Sequence, residues 1–153
     1  MANTFTQIYV HLVFAVKWRE CILAKDHREE IHKYIAGILK HKNQKLIAVN
    51  SMPDHIHILV GIKPHICISD LVMFIKISSS KFINQKNWYK GKFNWQKGFG
   101  AFSFGHSQIS MIADYIHNQE KHHYKRTFRE EYIEILHKFN IEYNDLYIFD
   151  ELK

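Results

Sequence analysis

At 153 residues, with 46% hydrophobic and 24% charged residues, the chain is expected to form one globular domain, residues 1–153, with a sizeable core. Cys21 and Cys67 are too few for a disulfide framework, and the apolar run Ile8–Val16 is short and interrupted by His11. Secreted and membrane-spanning classes are therefore set aside, and a reduced, cytoplasmic setting is expected.

Thr4 to Trp18 reads as a first strand, rich in β-branched and aromatic residues. Asp26 is placed to cap a helix carrying Ile31, Tyr34, Ile35, Ile38 and Leu39 at helical spacing. Lys45–Ser51 is a second strand, and Pro53-Asp54 turns it into a third, His55–Ile62. A second helix starts at Ser69-Asp70 and runs through Leu71, Phe74, Ile75, Ser78 and Phe82. Lys92–Phe104 is a fourth strand loosened by Gly98 and Gly100, and Ser107 caps a third helix with Ile109, Ile112, Ile116 and Gln119. His117, His122 and His123 suit the end of that helix as cations. Thr127-Phe-Arg-Glu130 is a capping box opening a last helix with Ile135, Leu136 and Phe139. This order predicts an α+β fold: a ferredoxin-like or RRM-like βαββαβ antiparallel sheet with two helices on one face and additional C-terminal helices. No glycine-rich phosphate loop is present, which argues against a nucleotide-driven machine.

The positive charge is segregated. No acidic residue lies between Asp70 and Asp114, while Lys76, Lys81, Lys86, Lys90, Lys92 and Lys97 all do, and these six equal the whole net charge of +6. Trp88, Tyr89, Phe93 and Trp95 are interleaved with them. Lysines neutralise phosphates and rings stack on unpaired bases, so the window suits single-stranded nucleic acid. Lys81, Lys86, Lys90, Lys92, Lys97, Trp88 and Trp95 are the candidate contacts. A solvated helix face beside core aromatics would have the same composition.

Two short motifs carry chemistry. On a strand, His55 and His57 point to one side while Ile56, Ile58 and Val60 point to the other. On a helix, Tyr115 and Gln119 are stacked neighbours. Two imidazoles and an amide oxygen can hold a divalent metal with a phenol beside it, the arrangement for attack by tyrosine on a phosphodiester. With 12 histidines in the chain, a His-x-His pair alone is also compatible with ordinary sheet histidines.

Asp54-His-Ile-His57 after the proline turn, Trp95-Gln-Lys-Gly-Phe-Gly-Ala-Phe-Ser103, and Tyr115-Ile-His-Asn-Gln-Glu-Lys-His-His123 occur in that order. Together they resemble the HUH single-tyrosine transposases of bacterial insertion sequences, the TnpA type, which move as single-stranded DNA. The resemblance implies a metal-dependent endonuclease and strand transferase that cuts and rejoins DNA at element ends through a 5′-phosphotyrosine. It implies Tyr115 as the nucleophile, with His55, His57 and Gln119 holding Mg²⁺ or Mn²⁺. It further implies DNA hairpins at the element ends as substrate, and a homodimer in which the tyrosine helix of one subunit completes the site of the other. Two other readings stay open. One is a rolling-circle replication-type HUH nickase. The other is an RRM-like nucleic-acid-binding module without catalysis, for which Lys97-Gly-Phe-Gly-Ala-Phe102 comes nearest to a suitable strand.

Overall fold

The computed structural model describes residues 3–18, 21–123 and 126–150; the side chains of His122 and His123 lie outside the described residues. Strands β1 (Tyr9–Ala15), β2 (Lys45–Met52), β3 (His55–Gly61) and β4 (Gly100–Phe104) form one sheet in the order β2-β3-β1-β4, every pairing antiparallel. Helix α1 (Lys25–His41) connects β1 to β2, and α2 (Ile68–Gln85) connects β3 to β4. Among the described residues, three α-helices follow β4: α3 (Ile109–His117), α4 (Gln119–His123) and α5 (Phe128–Lys138). The α+β class is the one expected, a four-stranded antiparallel sheet with helices.

Strand alternation builds two different faces. Leu12, Phe14, Ile56 and Ile58 are fully buried and cluster with Ile31, Ile35 and Leu39 of α1 and Leu71 and Ile75 of α2. The opposite face carries His11, His55, His57 and Leu59, and is covered by the C-terminal helices through Ile116, Phe128 and Tyr132. The histidine face is thus roofed by protein, and the site is interior. Helices α1, α2 and α5 are each followed by an asparagine at positive φ, Asn43, Asn87 and Asn140, a residue that tolerates the left-handed turn ending a helix.

Several boundaries differ from expectation. The first strand begins at Tyr9, not Thr4, because its partners run out there: Tyr9 pairs with Gly61 and Phe104, the ends of β3 and β4. Residues 92–99 are not strand, apart from a bridge between Val16 and Trp95. Asn84 on α2 holds Phe93 through both its backbone N–H (2.7 Å) and its carbonyl (3.1 Å), which replaces a ladder. Asp26 lies in the first turn of α1 but does not cap it. Thr127 does cap α5, accepting the Glu130 N–H at 3.2 Å. Among the described residues, no helix is long and apolar enough to cross a membrane.

Gly100 is a packing requirement. A Cβ there would lie 2.7 Å from the Tyr132 hydroxyl and 2.9 Å from the Phe102 ring. Gly100→Ala is expected to lower stability by about 1–3 kcal/mol, as overpacking does, read as a lower urea midpoint. An unchanged midpoint would mean that Tyr132 moves aside without cost.

His32 on α1 hydrogen-bonds the Ser51 hydroxyl at 2.8 Å, and burial, assisted by Arg28, pushes its pKa down to about 4. Between that value and the unfolded value near 6.5, only the unfolded chain takes up this proton, so stability falls as pH falls through the window. His32→Gln keeps a hydrogen-bonding side chain but cannot titrate. The wild type is expected to lose more stability than the variant between pH 7 and pH 4.5, measured by denaturant titration; parallel losses would exclude His32 as the cause.

Candidate active site

Strand β3 places His55 and His57 on one face two residues apart, and both are completely buried. Each imidazole is oriented from behind. His55 Nδ1 lies 2.6 Å from Asp54 Oδ1, and His57 Nδ1 lies 2.7 Å from His11 Nε2 on β1. The Nε2 atoms are thereby turned toward a common point, the geometry by which an outer partner fixes a metal-binding histidine. Burial, then the neighbouring His57, hold His11 well below the ordinary histidine range, so it orients His57 as a neutral ring. Burial alone would lower the His55 pKa, but its bonds to Asp54 and Glu131 raise it overall.

The group at the common point is Glu131, from α5, also completely buried. Its Oε1 lies 3.2 Å from His57 Nε2 and 3.5 Å from His55 Nε2. The three donor atoms lie within 4.8 Å of one another. Two imidazole nitrogens and a carboxylate oxygen so gathered fit a divalent metal. Phe128, one turn earlier on α5, stacks on His55 with centroids 3.9 Å apart and fixes how α5 sits over β3.

Gln119 and Tyr115 meet at the same carboxylate. Gln119 is fully buried, with Oε1 3.4 Å from His55 Nε2 and Nε2 donating to Glu131 Oε2 at 3.0 Å. The Tyr115 hydroxyl donates to Glu131 Oε2. Burial, together with the Glu131 charge and hydrogen bond, pushes the phenol well above its ordinary pKa, while Gln119 and Arg126 pull the other way. Arg126 donates from Nη2 to the Tyr115 oxygen at 3.2 Å.

The expected single helix through Tyr115 and Gln119 is broken at Asn118, between α3 and α4. Asn50 on β2 supplies a reason: its Nδ2 donates to the Ile116 and His117 carbonyls at 2.9 and 3.3 Å, binding the end of α3 to the sheet. Tyr115 and Gln119 still converge, but through Glu131.

The basic window lies elsewhere. Helix α2 and the segment after it pack on the sheet face opposite the histidines, since Trp95 packs edge-on against Phe14 at 4.8 Å and donates to Ser79 at 3.0 Å. At 4% exposure Trp95 is core, which corrects its assignment as a base-stacking contact; Phe93 is buried with it. Trp88 is half-buried and stacked on His27 at 3.9 Å, so one ring face is already used. Lys86 is exposed but paired with Glu30 at 2.8 Å. Lys81, Lys92 and Lys97 line a groove of about 1130 Å³ with Lys17 and Lys76, and Lys90 is exposed. Lys76 donates to the Gln96 and Gly98 carbonyls, and burial lowers its pKa to about 8. The aromatic strand that an RRM-like platform would need is covered: Phe102 is buried beneath Tyr132 and Phe139.

Sequence reasoning missed Glu131, His11 and Arg126. Glu131 did leave a signal, because it lies three residues after Phe128 on the buried stripe that continues through Tyr132 and Leu136. A carboxylate on an apolar helix face requires a partner.

A family described as "Transposase IS200 like" matches residues 4–119. The transposase for insertion sequence element IS200 of Salmonella typhimurium is 27% identical over 124 residues, covering 78% of this chain and 81% of that protein. The ISDra2 transposase TnpA of Deinococcus radiodurans is 24% identical over 120 residues, covering 74% and 84%. Two solved structures share the fold. One is described as a transposase from Deinococcus radiodurans R1, with TM-score 0.61, 23% identity, and coverage of 78% of this chain and 95% of that one. The other is a REP-associated tyrosine transposase bound to a REP hairpin, with TM-score 0.60, 13% identity, and coverage of 80% and 73%.

Proposed function

The chain belongs to the IS200-like transposases, enzymes of DNA transposition, and from that premise we propose that it cuts and rejoins single-stranded DNA through Tyr115. The observation that carries this reading is the convergence of Tyr115, His55, His57 and Gln119 on one buried carboxylate, Glu131. In the proposed reaction, the Tyr115 oxygen forms a bond to the scissile phosphorus and the bond to the DNA 3′-oxygen breaks. A 5′-phosphotyrosine and a free 3′-hydroxyl result. The covalent link retains the phosphodiester's energy, so rejoining needs no nucleotide.

His55, His57 and Gln119 are the metal ligands that the resemblance implies, and the geometry supports adding Glu131 to that set. Mg²⁺ or Mn²⁺ is the proposed ion, with the carboxylate favouring either over softer metals. When bound, such an ion supplies Lewis-acid polarisation of the phosphate and stabilises the departing oxygen. Asp54 and His11 hold the imidazoles in position, and α5 covers them with Phe128 and Glu131. We further propose DNA hairpins at the element ends as substrate, as in the hairpin-bound relative; cytoplasmic action; one HUH domain over residues 1–153; and a homodimer. In that homodimer we propose that the tyrosine helix of one subunit completes the site of the other; within one chain, Tyr115 meets its own Glu131. The exposed lysines Lys81, Lys90, Lys92 and Lys97 are proposed to contact DNA outside the catalytic centre.

The test is a denaturing gel of the protein incubated with single-stranded DNA from the flanks of its own gene and Mg²⁺ or Mn²⁺. A metal-dependent protein–DNA band that survives SDS is expected. Tight binding without such a band would replace the catalytic reading with a binding module.

A further inference from the structure

We propose that Arg126 is a catalytic residue that binds the scissile phosphate, an inference that rests on Tyr115 being the nucleophile. Arg126 immediately precedes Thr127, the cap of α5, and its side chain is 23% exposed, so it lies at the border between the buried cluster and solvent. Nη2 donates to the Tyr115 oxygen at 3.2 Å, and Nη1 is paired with Glu134. The same Nη2 is 3.9 Å from Glu131 Oε2, too far for a direct hydrogen bond. The guanidinium is thus held by Glu134 at one end and offered to the attacking atom at the other.

The geometry of attack makes this placement consequential. The Tyr115 proton points to Glu131, and one side of its oxygen accepts from Arg126. A phosphorus poised for attack stands about 3–3.5 Å from the attacking oxygen. Its non-bridging oxygens then fall within hydrogen-bond reach of the same Nη2. Arg126 can pass from the phenol oxygen to the phosphate as the DNA arrives, using a planar fork of donors.

Electrostatics favours the same assignment. An anionic phosphodiester must approach a tyrosine whose nearest partner is the buried Glu131 carboxylate, and negative charge grows on the phosphoryl oxygens as the new bond forms. A fixed cation at that position is stabilising where the charge develops. In the complete step, the Tyr115 O–P bond forms, the P–O3′ bond breaks, the phenolic proton passes to solvent, and the departing 3′-oxygen takes one proton up. No electron donor or acceptor is involved. A purely structural Arg126 would only tether α5 through Glu134 and offset the Glu131 charge 3.9 Å away.

The two roles separate when the charge of the substrate is removed. Single-stranded flank DNA is prepared with either a normal phosphodiester or a neutral methylphosphonate at the cleavage position, and adduct rates are measured for wild type, Arg126→Gln and Arg126→Lys. Arg126→Gln is expected to lose about 10²–10³-fold on the phosphodiester, the scale of removing one electrostatic donor, and under about 5-fold on the methylphosphonate. Arg126→Lys keeps the charge and a partner for Glu134, and is expected to lose about 10-fold on the phosphodiester alone, because it lacks the fork. If Arg126→Gln does not fold, the lysine variant carries the comparison. Equal losses on both substrates would overturn the phosphate-binding role and leave Tyr115 as nucleophile. A wild type that forms no Tyr115-dependent adduct on either substrate would overturn both.

Discussion

Tyr115→Phe is expected to abolish the covalent DNA adduct, by about 10⁴-fold or more, as removal of an enzymic nucleophile does. DNA retention on a native gel and metal binding are expected to persist. The substitution removes one oxygen and keeps a ring that packs beside Ala48, Leu59 and Ile116 and stands edge-on to His57 at 6.1 Å. Glu131 Oε2 would still accept from Gln119 at 3.0 Å, so the buried carboxylate does not lose all its donors. The stability cost should be about 1–2 kcal/mol, the scale of one hydrogen bond to a charged group. The resting phenol is protonated, because burial and Glu131 both raise its pKa. Chemistry therefore requires the substrate complex to draw the Tyr115 proton away, and Arg126 is the neighbouring group whose charge favours the phenolate. An adduct that survived in Tyr115→Phe would place the nucleophile on another residue.

What could be read from the sequence was local. His55 and His57 share a face because strands alternate, whereas the helical pairing expected of Tyr115 with Gln119 is interrupted at Asn118 and the two side chains meet at Glu131. Helices α1, α2 and α5 announced themselves through apolar periodicity, and Thr127 through its capping box. The errors come from tertiary context. Phe93 and Trp95 alternate like strand residues, but their rings fill the space between α2 and β1 and their backbone is held by Asn84 and Val16. The first strand stops at Tyr9 because its neighbours stop. Charge segregation was real as composition, yet it could not tell which rings were covered. Glu131 lies 74 residues from its partner His57, and no local spacing connects them. His11 was visible only as an interruption of an apolar run, and its role depends on the pairing of β1 with β3.

Glu131→Gln is expected to cause the largest loss of metal binding. Glu131 is the one described side chain that meets His55, His57, Gln119 and Tyr115 together, and it is wholly buried. Glutamine matches its size and removes its charge, so the change tests the charge and leaves packing largely intact. For a ligand present at 100 times its Kd, linkage gives the wild type about 2.7 kcal/mol, which for a chain of this size raises Tm by about 5–10 °C. The Mn²⁺-induced shift should fall below about 3 °C in the variant if affinity drops about 100-fold, since linkage then supplies only about 0.4 kcal/mol. The metal-free protein gives an independent sign. Against its burial, Asp54 and Glu131 hold the His55 pKa above its unfolded value, so that stabilisation is full below about pH 6.5 and is lost as pH rises through the elevated folded value. Removing the Glu131 charge weakens it, so through His55 the variant's deficit without metal should be full below about pH 6.5 and shrink as pH rises through the elevated folded value. A full Mn²⁺ shift in Glu131→Gln would instead leave His55, His57 and Gln119 as the sufficient ligand set, with Glu131 serving to hold Tyr115.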